Sequence, residues 1–272
     1  MINAKEIIFL GMSRSGNHAV IDWIIRQQPG RVCFLNCAEG KANPFETCRP
    51  LANGVPFVVN YPGFSLEDER EGRFSRKDLL LYSYEDSFLR HVFSRELDKR
   101  HDTWVGPSAR QFRIILLRDP FNLFASRLQM GAIQTPHTAV RLWKQHARRF
   151  LRLRKRGGEN ELAISYNEWV QSARYRESLA ARLDIPFTDA GLDTVSSCAG
   201  GSSFDGHRFD GRGRQMPVFD RWRSFRDDSR YRALFDEEVI ALSDAAFGRL
   251  PARDALWPSP PRRAGSPVPA FA

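Results

Sequence analysis

The chain has 272 residues, of which 42% are hydrophobic and 27% charged, and its net charge is +9. That length can bury one sizeable core, so a single α/β domain is the simplest count, and no apolar run is long enough to span a membrane. The basic balance points to an anionic partner, and composition alone leaves a nucleic acid, a nucleotide or an acidic glycan open.

Only six of the 41 basic residues are lysines. Arginine is the better residue for forked contacts to phosphate or sulfate. The four cysteines, Cys33, Cys37, Cys48 and Cys198, have no zinc-like pairing and read as reduced thiols. The first residues carry neither a charged n-region nor an apolar h-region, which predicts a soluble, cytoplasmic protein.

In chain order, Ile7-Ile8-Phe9-Leu10 reads as a buried strand, followed by a glycine-bounded turn and a helix over 19–26 closed by Pro29-Gly30. A second strand is predicted over 31–36, a long loop over 37–54, and a strand over 55–61 whose Pro56 puts it at a sheet edge. Residues 65–78 are dense in charge and read as an exposed, mobile segment. Leu79 to Tyr84 reads as a core strand, and one helix with Phe88, Leu89, Val92, Phe93 and Leu97 on a single face follows it.

The clearest buried strand is Phe112 to Leu117, after which Asp119-Pro120 supplies an N-cap and a first-turn proline. A basic helix over 138–154, a strand over 161–166, an amphipathic helix to Leu183 and a helical region over 225–248 complete the pattern. Residues 199–214 are rich in Gly, Ser and Arg, and 256–272 read as a disordered, Pro-rich tail on a domain covering 1–255. Strands alternating with helices predict an α/β fold of three layers with a mostly parallel sheet.

Two stretches carry chemistry. In Gly11-Met12-Ser13-Arg14-Ser15-Gly16-Asn17-His18 the glycines have the spacing of a phosphate-binding loop, and strand, loop and helix aim backbone N–H groups at an anion. Asn17 stands where such a loop carries its Lys, and His18 where it carries the Mg²⁺-holding hydroxyl. The second stretch, Arg118 to Arg127, sets an Arg at a strand's C-terminal end eight residues before Ser126, on the sheet edge where ligands sit.

Together these stretches resemble the donor-binding motifs of the PAPS-dependent sulfotransferases, with a P-loop-like fold. The resemblance implies that Ser13, Arg14, Ser15, Gly16, Asn17 and His18 hold the 5′-phosphosulfate, and that Arg118 and Ser126 hold the 3′-phosphate. Ser165-Tyr166-Asn167-Glu168-Trp169 is similar to the family's segment near the adenine. Arg212-Gly213-Arg214, shortly before Asp220-Arg221-Trp222, is similar to its basic-Gly loop closing over the donor. Arg14 stands where cytosolic members carry Lys and looks more like the carbohydrate and tyrosyl-protein branches. Asn17-His18 replaces the usual Thr/Ser pair, and Leu81 to Asp86 occupies the place of the Lys-Thr-His catalytic segment.

The implied reaction is metal-free transfer of a sulfuryl group from PAPS to a hydroxyl or amine, with Arg14 stabilising charge on the leaving oxygen. The expected acceptor is a carbohydrate, glycolipid or other small metabolite. For the general base the order is Glu85, then Glu39, with Asp86 and His91 further candidates. A P-loop kinase of a small metabolite and a non-catalytic PAP- or nucleic-acid-binding module are the competing readings. The first lacks its loop Lys, and no interleaved basic and aromatic surface points to nucleic acid.

Overall fold

The computed structural model describes residues 1–131, 136–197 and 200–257. Its core follows from the alternation in the first strand, β1 (Asn3–Gly11), whose run from Ile7 to Leu10 is apolar on both faces. Ile7 and Phe9 join one buried cluster, and Ile8 and Leu10 join the other, so layers pack on both sides of the sheet. The following elements are α1 (Asn17–Gln27), β2 (Val32–Leu35), α2 (Pro44–Thr47), β3 (Phe57–Val59), α3 (Leu66–Arg70) and β4 (Lys77–Glu85). Next come α4 (Leu89–Val92), α5 (Arg95–Val105), β5 (Ser108–Leu117), α6 (Pro120–Gln129), α7 (Pro136–Arg156) and β6 (Glu161–Ser165). The C-terminal part holds α8 (Tyr166–Gln171), α9 (Ala173–Leu183), α10 (Ser229–Arg232), α11 (Glu237–Phe247) and α12 (Pro251–Leu256).

The strands form one sheet in the order β3-β2-β4-β1-β5-β6. All neighbours are parallel except the edge pair β2 and β3. The expected three-layer α/β architecture is therefore present. Helix α1 and the α8–α9 pair cover one face, with Trp23, Trp169 and Leu183 buried there. Helices α6, α7 and α11 cover the other, around Phe124, Trp143 and Val239. The register sets Gly11 beside Glu85 and Leu10 beside Ile115, so the C-terminal ends of β1, β4 and β5 lie side by side. Among the described residues no helix is long and apolar enough to cross a membrane.

Several sequence expectations change in detail. The charged segment 65–78 is anchored: α3 is capped by Ser65, and the buried Glu69 carboxylate takes the equally buried Lys77 ammonium at 2.7 Å and the Ser75 N–H at 2.9 Å. The helix expected after Asp86 splits into α4 and α5 because Ser94 caps the Leu97 N–H. The helix expected to run to Leu183 splits because Ser172 caps the Tyr175 N–H. Short helix α2 interrupts the loop 37–54, and the 225–248 region divides into α10 and α11. The cysteines Cys33, Cys37 and Cys48 are free thiols, whereas Cys198 and the tail from Pro258 lie outside the described residues.

At the opposite end of the sheet from the loop after β1, the buried Glu6 carboxylate accepts from Tyr82 (2.5 Å), His101 (2.6 Å), Ser108 and Gln111. Burial disfavours the His101 cation, but Glu6 on one ring nitrogen and Asp102 on the other outweigh it and push its pKa from 6.5 up to about 9. Burial also opposes the Glu6 charge, and His101, Ser108 and Tyr82 outweigh it, holding that carboxyl below its usual 4.5. Folded His101 holds its proton more tightly than the unfolded chain does. Its stabilisation is thus full below pH 6.5 and lost as pH rises through about 9. The Glu6 contribution is present above pH 4.5 and lost as pH falls through its lowered folded value. Thermal unfolding between neutral pH and about pH 9.5 checks this: Tm falls over that range, and the fall flattens in His101→Gln. A native Tm that stays constant there contradicts the assignment.

Candidate functional site

The loop after β1 is built by backbone constraints. The Ser15 N–H closes a turn onto the Met12 carbonyl at 3.0 Å, and Arg14 and Gly16 take left-handed φ values of 71° and 91°. A Cβ at Gly16 would lie 2.1 Å from the Tyr166 ring, so glycine is required there for space as well as conformation. Helix α1 then starts at Asn17 with no side-chain cap and no acidic residue in its first turn. Its first N–H groups and the positive end of its dipole are left for an anion.

Asp86, just past β4, braces this loop. Its carboxylate accepts the Ser13 N–H at 3.1 Å and pairs with the buried Arg127 guanidinium at 2.7 Å. Arg127 also donates to the Ser13 carbonyl. The Asp86 carboxylate is thereby engaged in holding the loop, and Asp86 does not line the cavity described below.

Arg118 follows β5 and is 6% exposed. Its guanidinium donates to the Arg14 carbonyl at 3.0 Å, the Val218 carbonyl at 2.6 Å and the Ser126 hydroxyl at 3.4 Å. Every one of these partners is neutral, and no ion pair to Arg118 forms among the described residues. Helix α6 positions Ser126; Asp119 caps it through the Asn122 N–H at 2.9 Å, as the Asp119-Pro120 signal predicted.

Two further arginines converge. Arg14 donates to the Gly201 carbonyl at 3.1 Å, and burial with the nearby Arg118 and Arg221 charges lowers its pKa while Glu85 opposes. Buried Arg221 pairs with Asp205 at 2.5 Å and donates to Ser202; burial and Arg118 lower its pKa against the pull of Asp205. Three guanidinium groups thus share a site with two carboxylates, Glu85 and Asp205, leaving positive charge for a ligand to meet.

A cavity of about 1040 Å³, counting its open mouth, lies between these groups. It gathers Ser13, Arg14, Gly16, Asn17, His18, Glu85, Arg118, Ser126, Tyr166, Gly213 and Arg214 from the residues singled out in the sequence. Tyr166 stacks on Trp169 with centroids 5.9 Å apart and lies under Arg118, which with Leu192, Met216 and Val218 makes a flat, apolar end. Arg214 is held by Asp193 at 2.6 Å. Glu85 accepts from Asn17 at 2.6 Å, and His18 Nε2 meets Asn36 Oδ1 at 3.1 Å.

Four expected residues fall elsewhere. Ser15 is buried beneath the loop and does not line the cavity. Arg212 donates to the Arg208 carbonyl and lies over Phe209. Glu39 is exposed and paired with Arg49 at 3.1 Å, outside the cavity wall. His91 accepts from Arg90 and packs on Phe88. Sequence reasoning gave no role of their own to Arg221 and Trp169, although Trp169 lay in the stretch compared with the adenine segment, and missed the covering residues Thr194, Ser196 and Ser202. Arg221 lay inside the Asp220-Arg221-Trp222 stretch already noted beside the basic-Gly loop. Its placement depends on the 3₁₀ turn Arg221–Phe225, whose Trp222 N–H meets Asn122 of α6.

No protein-family model matches the chain, and no curated protein matches it significantly in sequence. Solved structures do match in fold. The sulfotransferase domain of the Synechococcus PCC 7002 olefin synthase is 15% identical, with 90% of this chain and 95% of that one covered and a TM-score of 0.52. Mouse sulfotransferase SULT7A1, solved in complex with PAP, is 12% identical over 89% of each chain, with a TM-score of 0.51. The sulfotransferase domain of the curacin biosynthetic pathway is 13% identical, covering 90% of this chain and 98% of that one at a TM-score of 0.50. The chain therefore has the fold of sulfotransferase domains.

The excess positive charge gives a direct expectation. Inorganic sulfate or phosphate raises Tm by binding the folded state, and Arg118→Gln removes most of that increment. Equal increments in both proteins would place the anion elsewhere.

Proposed function

We propose that the protein is a sulfotransferase that moves the sulfuryl group of PAPS to a hydroxyl or amine of a carbohydrate, glycolipid or other small acceptor and releases PAP. The observation that carries this reading is Arg118. A buried guanidinium with only neutral partners, beside Ser126 and one cavity away from an uncapped helix start, matches a donor with phosphate groups at two positions. In this reading Arg118 and Ser126 take the 3′-phosphate, and the N–H groups at the start of α1 take the 5′-phosphosulfate. The Tyr166–Trp169 wall takes the adenine. The fold likeness to a sulfotransferase solved with PAP supports the same donor.

The acceptor oxygen or nitrogen attacks sulfur in line, the bond from sulfur to the bridging oxygen breaks, and PAP leaves with that electron pair. Arg14 meets the charge developing on the leaving oxygen, with the loop N–H groups assisting. The acceptor proton passes to a base within hydrogen-bond reach, and Glu85 is the carboxylate at the cavity wall suited to take it. The arginine at position 14 and the Arg-rich surface favour an anionic or polyhydroxylated acceptor over a flat phenol.

Calorimetric titration tests the donor half. Arg118→Ala weakens PAP binding by about 2 kcal/mol, the scale of a charge-assisted hydrogen bond, while adenosine 5′-phosphosulfate, which lacks the 3′-phosphate, binds nearly as before. Equal losses for both ligands would mean that Arg118 serves the fold. Magnesium is not needed for PAP binding; a Mg²⁺-dependent preference for ATP would favour the kinase reading instead. Steady-state kinetics tests the catalytic half. Arg14→Ala lowers kcat more than it weakens PAPS binding, and Glu85→Gln lowers turnover roughly 10²-fold with PAP affinity nearly intact. Full activity in Glu85→Gln removes Glu85 as the base.

A further inference from the structure

Asn17 and His18, which stand where a Walker-type loop carries its Lys and its Mg²⁺-holding hydroxyl, have side chains engaged with the ends of β4 and β2. His18 meets Asn36, and Asn17 meets Glu85. Asn17 is 3% exposed, and its Nδ2 donates both hydrogens: to the Met12 carbonyl at 3.1 Å and to Glu85 Oε1 at 2.6 Å. Its Oδ1 is buried with no hydrogen-bond partner among the described residues. A flipped amide would set that oxygen against a carbonyl and a carboxylate, so the orientation is fixed in spite of the unpartnered acceptor. The amide has room only because residue 11 is glycine. A Cβ there would lie 2.0 Å from Asn17 Oδ1.

We propose that Asn17 is a positioning residue for Glu85: its amide clamps Oε1 and leaves Oε2 as the oxygen that receives the acceptor proton. This rests on the sulfotransferase reading and on Glu85 as its base. The other groups facing Glu85 are the Arg14 guanidinium from the loop and the Cys37 thiol after β2. Asp86, next in the chain, is held by Arg127. The Gly11–Asn17–Glu85 contact accounts for the amide at position 17. A threonine there could not donate to both Met12 and Glu85.

Asn17→Asp tests the clamp, since it keeps the shape and sets a second carboxylate against Glu85. Two carboxylates in contact cannot both ionise, so the unliganded variant should show the infrared band of a protonated carboxyl at neutral pH, absent from the native protein and from Asn17→Asp/Glu85→Gln. In PAPS turnover with water as acceptor, the acid limb of the kcat/KM profile should move up by about one pH unit or more. Gly11→Ala, which leaves Asn17 in place and pushes its amide aside, should move the limb in the same direction and covers a failure of Asn17→Asp to fold. A missing band, or a kcat that drops with the limb unmoved in both variants, overturns the clamp. The band is read without ligand, so it tests the clamp separately from the sulfotransferase reading, which a native protein that binds no PAP overturns instead.

Discussion

The site depends on one buried guanidinium. Arg118 leaves the end of β5 with its own carbonyl held by the Trp143 indole at 3.0 Å, and its side chain ties the Arg14 carbonyl, the Val218 carbonyl and Ser126 together. A charge taken out of water is costly unless an opposite charge meets it. Here carbonyl and hydroxyl dipoles offset part of that cost, and the rest is left for an anion. The same hydrogen bonds join the loop after β1, helix α6 and the stretch before Arg221, so ligand charge and local fold are coupled through one residue.

Sheet order explains why those parts meet. With β1 between β4 and β5, everything that follows the C-terminal ends of three neighbouring strands shares one edge: the anion loop, Glu85 with Asp86, and Arg118. That is where ligands sit in open parallel sheets. The carboxylates on this edge divide the work. Asp86 is committed to Ser13 and Arg127 and fixes the loop, whereas Glu85 takes a neutral amide and lines the cavity. Their difference comes from partners, since they are adjacent in the chain.

Much of the cavity wall was legible in the sequence because it rests on local rules. Two glycines at a fixed spacing, a strand ending in Arg118 and a Ser126 eight residues on are set by strand, turn and helix geometry, and Gly16, Arg118 and Ser126 line the cavity. Other parts were less legible. Glu39 follows β2 as expected, yet Arg49, ten residues along, draws it to the surface. Arg221 reaches the cavity through a 3₁₀ turn packed on α6, a tertiary contact with no periodic signature. The segment 65–78 read as mobile because its charge is dense, and the buried Glu69–Lys77 pair reversed that. Breaks at Ser94 and Ser172 are single caps inside otherwise continuous apolar patterns, which periodicity overrides.

A structure of the protein with PAP bound measures the central claim most directly. The account predicts the 3′-phosphate within hydrogen-bond reach of the Arg118 guanidinium and the Ser126 hydroxyl. It also predicts the 5′-phosphate over the first N–H groups of α1 and the adenine against the Tyr166–Trp169 wall. PAP bound in the reverse sense, bound away from Arg118, or not bound at all would contradict it.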